Sequence, residues 1–294
     1  MSKKELNHGL DPTLLLPIEP IQLFDDYYFV GHKLGGFHIL KTSQGLVLFD
    51  AMDKYDADDE FLLPGLKKLG LEHEKILMLF LTHCHYDHYM GADKVRQRTG
   101  CDIALSAEDA LVMVSSPDNY RGIDDLRLPR ITRLLRDGED LTFGDHTVHA
   151  ILAPGHTPGC MNYSFQVHDG GGPHRIIMMG GYGIFGPGRF RRGLEYPHSA
   201  AYAAQQAFAF AGSCAKTWEY AKETGCDVYL NPHPHLCDML KLAEQNKTRG
   251  KDDPNAFVIG LEGVRGWLAE RFDACVNSAL EFTDIQKTME KQGD

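Results

Sequence analysis

The sequence predicts an α/β fold in which two β-sheets pack face to face with helices on the outside. Three observations lead there. Strands and helices alternate along the chain, the order of strands, polar cluster and helices runs twice, and an almost continuous apolar run, residues 75–81 (KILMLFL), ends just before the first polar cluster. Such a run marks a strand buried on both faces. Layered sheets with outer helices suit the pattern. A doubly wound parallel sheet is the rival arrangement.

The elements follow in order. Residues 27–32, 36–42 and 45–49 are rich in aromatic and branched side chains and are punctuated by Gly35-Gly36 and Ser43-Gln44-Gly45, so they read as short strands. Residues 58–69 read as an amphipathic helix interrupted by Pro64, and 75–81 as the buried strand. Helices are predicted over 91–99 and 107–114, then strands over 141–143, 147–152, 162–167 and 175–179. Long helices fill 200–224, 237–245 and 261–282, with a short apolar strand at 227–230 between the first two.

The chain of 294 residues is long enough for one large domain or two small ones. Its net charge of −11 argues against a phosphate backbone as partner, because nucleic-acid binders carry a basic face. No apolar run of signal-peptide length follows Met1, and residues 200–215 contain Gln205, Gln206 and Ser213, too polar for a membrane span. Seven scattered cysteines without a CxxC pair favour a reducing compartment, and the cytoplasm is expected.

Chemistry concentrates after the buried strand, in Thr82-His83-Cys84-His85-Tyr86-Asp87-His88. Imidazole nitrogen and carboxylate oxygen are ligands that a borderline cation such as zinc accepts. Residues two apart in an extended loop point the same way, so His83 and His85 can grip one ion together, while Asp87 and His88 turn towards a second. Alternation points Cys84 away from its neighbours, which makes it a buried structural thiol.

His-x-His-x-Asp-His after a buried strand resembles the signature of the metallo-β-lactamase superfamily. Leu152-Ala153-Pro154-Gly155-His156-Thr157-Pro158-Gly159 is similar to that family's second motif, and Asn231-Pro232-His233-Pro234 to its last. The resemblance runs from about Asp26 onwards and implies an αββα sandwich of two similar halves. It places one such domain over residues 1–294, with 1–25 as an N-terminal extension and 255–294 as a C-terminal helical region. It implies two Zn2+ ions per chain, the first on His83, His85 and His156 and the second on Asp87, His88 and His233. His235 competes for the last position, and the place of His233 straight after the strand favours His233.

One departure narrows the resemblance. Most hydrolytic members carry an aspartate bridging both metals, where this chain reads Met178-Met179-Gly180-Gly181-Tyr182-Gly183. Its loss implies either a weakened second metal or the dizinc subclass of lactamases that lacks the bridge and uses His88 instead, and the second is favoured. The activity implied is hydrolysis by a zinc-activated water of an amide, lactam, lactone or ester in a small molecule, with Asp87 orienting the nucleophile and Tyr182 as a candidate oxyanion donor. A true β-lactamase and a non-hydrolytic redox member of the fold are the alternatives. Val264 stands where a disulfide partner for Cys226 would fall in that subclass, which argues against a secreted resistance enzyme.

The loop Gly186-Pro187-Gly188-Arg189-Phe190-Arg191-Arg192-Gly193 follows the missing aspartate. Its arginines, Arg189, Arg191 and Arg192, with Phe190 between them, suit a carboxylated, partly apolar substrate. His38 is a further candidate at the mouth, with a structural role in the hairpin as the favoured alternative. The G-x-G-x-x-G string from Gly181 to Gly186 is followed by Pro187 where a nucleotide site needs a helix, so it reads as a loop. The expected partner is a small molecule, with neither nucleic acid nor membrane; the sequence does not set the oligomeric state.

Overall fold

A computed structural model describes residues 12–115, 127–170, 172–184, 199–250 and 253–292. The first sheet holds β1 (Ile21–Phe24), β2 (Tyr27–Gly31), β3 (Gly36–Thr42), β4 (Gly45–Phe49), β5 (Ile76–Phe80), β6 (Asp102–Ser106) and β7 (Arg133–Leu135) in that spatial order. Pairing is antiparallel from β1 to β4 and parallel from β4 to β7. The second sheet comprises β8 (Glu139–Phe143), β9 (His146–Leu152), β10 (Met161–Asp169), β11 (Gly172–Met178) and β12 (Val228–Leu230), ordered β12-β11-β10-β9-β8.

Alternation along the strands explains the layering. Val47, Phe49, Met78 and Phe80 point into the core between the sheets, whereas Leu46, Leu48, Leu79 and Leu81 face an outer core. That outer core is closed by α1 (Leu63–Lys68), α3 (Ala92–Thr99) and α4 (Ala107–Ser115), through Leu66, Val95 and Met113. With β4 and β5 buried on both faces, their sequences lose polar alternation. On the far side, α5 (Ala200–Thr224), α6 (Met239–Thr248) and α7 (Gly260–Gln292) cover the second sheet, through residues such as Phe210, Ala243 and Leu268. The result is the αββα sandwich, not a single doubly wound sheet.

The seam between the sheets is aromatic. Phe49 stacks on Phe165 with ring centroids 4.8 Å apart, and it also meets Phe80 and Tyr163 at 5.5 and 5.4 Å. Tyr163 further ties the sheets by donating its hydroxyl hydrogen to the Leu81 carbonyl at 2.7 Å.

Three expectations change. Residues 21–24 belong to the sheet as its edge strand, with Leu23 and Phe24 in the core, so the N-terminal extension is shorter than 25 residues. The predicted helix at 58–69 forms, but as a wide π turn over Asp58–Leu62 followed by α1, which restarts with Pro64 in its first turn where a missing N–H costs nothing. Strands β6 and β7, of five and three residues, were not expected. All seven cysteines are buried and none forms a disulfide. Among the described residues no helix is long and apolar enough to cross a membrane.

Truncating the seam tests whether its packing holds the sheets together. Phe165→Ala is expected to cost about 3–5 kcal/mol of folding stability, read from chemical denaturation. A loss under about 1 kcal/mol would show that the sheets are held elsewhere.

Candidate metal centre

Loops at one end of the seam bring the expected residues together. His83 and His85 follow β5, Asp87 and His88 lie on the single-turn helix α2 (Tyr86–Tyr89), His156 follows β9, and His233 follows β12. Potential ligand atoms of His83, His85 and His156 lie within 4.8 Å of one another, as do those of Asp87, His88 and His233. The two triads adjoin, with the rings of His83 and His88 4.0 Å apart at their centroids. Each triad takes residues from both halves of the chain.

Hydrogen bonds around the cluster set which nitrogen each imidazole presents. His88 donates Nδ1–H to Asp50 Oδ2 at 2.6 Å, His156 donates Nδ1–H to the Gly183 carbonyl at 2.6 Å, and His233 donates Nδ1–H to the Leu34 carbonyl at 2.6 Å. That leaves Nε2 of each directed inward, the arrangement in which an outer partner orients a metal ligand. Nε2 of His83 faces Nδ1 of His85 across 2.9 Å, and Asp87 Oδ2 lies 3.7 Å from His233 Nε2 and 3.8 Å from His88 Nε2. Burial, reinforced by His88 and the other imidazoles, holds His83 well below the usual histidine range, and burial lowers His233 to about 3. Neutral imidazoles are the form that binds a cation. Two sets of three N/O donors facing a common centre fit a pair of zinc ions.

Two carboxylates that sequence reading missed hold the frame. Asp50, just after β4, accepts the Thr82 backbone N–H at 2.8 Å and the Thr82 hydroxyl at 2.9 Å in addition to His88. Asp109 on α4, fully buried, accepts the Cys84 N–H at 2.9 Å, the Thr157 hydroxyl at 2.7 Å and the Gly159 N–H at 2.6 Å. It therefore clamps the His83–His85 loop to the His156 loop. Burial pushes its carboxyl above the usual range against those three bonds. Neither position carries a motif. Asp50 at the end of an apolar strand was the one available signal.

The glycines where a bridging aspartate was sought have a steric reason. A Cβ on Gly181 would lie 2.5 Å from His156 Cβ and 2.8 Å from His156 Cγ. The first triad's histidine fills that space, so a larger side chain at 181 requires His156 to move.

Other candidates fall differently. His38 is fully buried, receives the Tyr27 hydroxyl contact at 3.0 Å on Nδ1 and is lowered to about 3 by burial, so it is an interior residue and does not line the mouth. Tyr182 has the Arg271 guanidinium of α7 over its ring at 4.1 Å, a packing contact. Cys84 is buried and belongs to neither triad, as alternation suggested. His235 is exposed, contacts the Lys33 carbonyl at 3.4 Å and lies outside the triads. Arg189, Phe190, Arg191 and Arg192 lie outside the described residues.

The family model of the metallo-beta-lactamase superfamily matches residues 38–169. Those residues are similar to that superfamily, and the two sheets with flanking helices have the metallo-beta-lactamase fold. Among solved structures it is similar to BJP-1, a subclass B3 metallo-beta-lactamase of Bradyrhizobium japonicum, at 26% identity and TM-score 0.69, over 96% of this chain and 97% of that one. The FEZ-1 metallo-beta-lactamase from Legionella gormanii shares the fold, with TM-score 0.72 and 22% identity over 92% of this chain and 98% of that one. Among curated proteins it is 33% identical over 110 residues to a hydroxyacylglutathione hydrolase of Rhizobium johnstonii, 37% of this chain and 36% of that protein. That match spans about a third of the curated relative's length.

Asp109 offers a test of the frame that removes no ligand. Asp109→Asn turns an NH2 group towards backbone N–H donors, and is expected to cost about 1–3 kcal/mol and to weaken zinc binding about 10- to 100-fold in chelator competition. Unchanged zinc affinity in a folded variant would show that the clamp does not position the histidines.

Proposed function

We propose that the protein is a dizinc hydrolase cleaving an amide, lactam, lactone or ester bond in a small, carboxylated molecule. The observation that carries this reading is the pair of adjoining triads, His83/His85/His156 and Asp87/His88/His233. Zinc bound there would lower the pKa of a coordinated water towards neutrality and polarise a substrate carbonyl. The chain's own groups do the rest. The Asp87 carboxylate, beside His88 and His233, holds and orients the attacking water, and no serine or thiol nucleophile is required. Asp50 keeps His88 Nε2 available by accepting the hydrogen bond from Nδ1–H. The arginines 189, 191 and 192 recognise the substrate carboxylate. Absence of a residue bridging the triads at Gly181 supports the bridge-less dizinc arrangement, with His88 as ligand.

A second reading, a β-lactamase acting on true β-lactams, is favoured by the similarity to BJP-1 along nearly the whole of both chains. Protein purified without chelator should carry zinc in both triads, and His88→Ala should lose the ion of the second. It should be assayed against lactones, esters, amides, hydroxyacylglutathione and a chromogenic cephalosporin. Cephalosporin turnover exceeding all others decides for the lactamase. A single-metal preparation unaffected by His88→Ala, or turnover of none of these substrates, rejects the dizinc hydrolase. Localisation in the cytoplasm is part of the proposal.

Asp87→Asn should lower kcat by about 10²- to 10⁴-fold with a far smaller change in KM, because orientation of the nucleophile matters mainly in the transition state. Unchanged turnover would make Asp87 structural. Alanine at Arg189, Arg191 or Arg192 should raise KM for the acid substrate roughly ten- to a hundredfold, as a charge-assisted bond of about 1.5–3 kcal/mol implies. An uncharged ester analogue should be almost unaffected, and if the triple variant treats acid and ester as the parent does, the loop does not bind the carboxylate.

A further inference from the structure

At the pole opposite the two triads, the seam holds another convergence of donors. Strand direction places it there: β9 leaves His146 and reaches the His156 loop about 20 Å on, β10 starts beside Thr82 and runs out to His168, and Asp26 lies in the turn before β2. Asp26 Oδ2 is 3.0 Å from His146 Nε2 and 2.6 Å from His168 Nδ1. The three atoms lie within 4.8 Å of one another, the criterion that both main triads meet.

The surroundings are those of a ligand set. His146 Nδ1 is held by Asp145 Oδ1 at 2.9 Å, and Asp145 is itself fixed by the Ser43 N–H at 2.8 Å. This is the carboxylate–histidine arrangement that orients a metal-binding nitrogen. Asp26 Oδ1 is occupied by the His168 backbone N–H at 3.0 Å, which aims Oδ2 at both imidazoles. Gln166 Nε2 contacts His168 Nε2 at 3.1 Å, and with its amide turned the Gln166 oxygen would accept Nε2–H while Nδ1 binds an ion. The His146 side chain is 3% exposed, Asp26 14% and His168 45%, so the site is recessed yet open on one side to water. An ion of charge +2 would balance Asp26 and Asp145. Tetrahedral zinc spaces its ligands by roughly 3.3–3.4 Å, from bonds of about 2.0–2.1 Å. The Asp26–His146 pair, at 3.0 Å, therefore needs to part by about 0.3–0.4 Å and the Asp26–His168 pair, at 2.6 Å, by about 0.7–0.8 Å, while His83 and His85 at 2.9 Å need about 0.4–0.5 Å.

We propose that Asp26, His146 and His168 form a third zinc site, separate from the hydrolytic centre, which cross-links the β1–β2 turn to strands β9 and β10. Zinc replaces the protons that otherwise bridge Asp26 to the two imidazoles, and solvent water completes its coordination. Its role is to lock the two sheets together at the pole away from the two triads.

The test compares the full-length parent with His168→Ala, each equilibrated with zinc, desalted and analysed for metal. The variant should hold one equivalent fewer, lose part of the zinc-dependent rise in melting temperature, and keep the hydrolytic activity of the parent. The comparison reads a difference, so it stands whatever the occupancy of the main triads. Equal metal content in parent and variant overturns the site and leaves a proton-bridged tie only. Crystals of the parent grown with zinc give a second measure, independent of how the variant folds. An anomalous peak about 2.0–2.2 Å from Asp26 Oδ2, His146 Nε2 and His168 Nδ1 is expected. No peak there, in crystals whose main triads are filled, also overturns it.

Discussion

Neither triad at the active pole can be built from one sheet. His83, His85, Asp87 and His88 come from the first half of the chain, and His156 and His233 from the second. The relative position of the two sheets therefore sets the ligand geometry, and a slide of one ångström would open both triads at once. Much of the structure serves that constraint. Stacking of Phe49 on Phe165 fixes the spacing of the layers, while Tyr163 and the Met161 N–H bond the carbonyls of Leu81 and Thr82. These are directional links in a core whose hydrophobic packing alone is non-directional.

Gathering six titratable ligands at that seam, three of them buried, creates a second requirement, which Asp50 and Asp109 meet. Each carboxylate is buried and each is surrounded by donors, so that the desolvation cost is offset by three hydrogen bonds. Asp50 acts within the first half, joining Thr82 to His88. Asp109 acts across the halves, joining the loop of Cys84 to that of Thr157 and Gly159. The chain accepts strain to make room: Asp50 and Met52 adopt left-handed backbone angles, φ 59° and 63°. Such conformations cost of order 1–3 kcal/mol each and persist where the surroundings over-determine them. Gly181 belongs to the same economy of space, since its missing side chain lets the His156 ring sit against the backbone.

The legibility of these features in the sequence follows their physics. Long apolar runs and turn residues mark β2 to β5 and the long helices, because double burial and glycine punctuation leave a strong local pattern. The ligands are legible because four of them crowd into His83–His88 and the others sit in dense Pro/Gly turns. Strands β1, β6 and β7 are three to five residues long and owe their pairing to neighbours far away in sequence, so no local period announces them. Asp109 is invisible for a related reason. It lies in an ordinary amphipathic helix, and only tertiary packing brings it under two loops 25 and 48 residues away. His38 kept two readings, of which the structural one holds, since a histidine between Phe37 and Ile39 in a hairpin gives no local sign that Tyr27 and Phe29 enclose it.

The same seam carries histidine–aspartate contacts at both poles, and their environments differ in a way that separates their roles. At the active pole the imidazoles are packed ring against ring, with centroids 4.0–4.8 Å apart, which disfavours positive charge on them. At the other pole each imidazole faces a carboxylate, and His146 faces two. That arrangement sets carboxylate against imidazole and serves no catalytic ion. One end of the sandwich thus stores unfavourable proximity that a dication relieves, which suits a centre whose task is to bind metal and substrate. The other end is a balanced tie between sheets. A fold that must keep ligands from two halves in register benefits from this division, since the tie restrains the seam without competing for the chemistry.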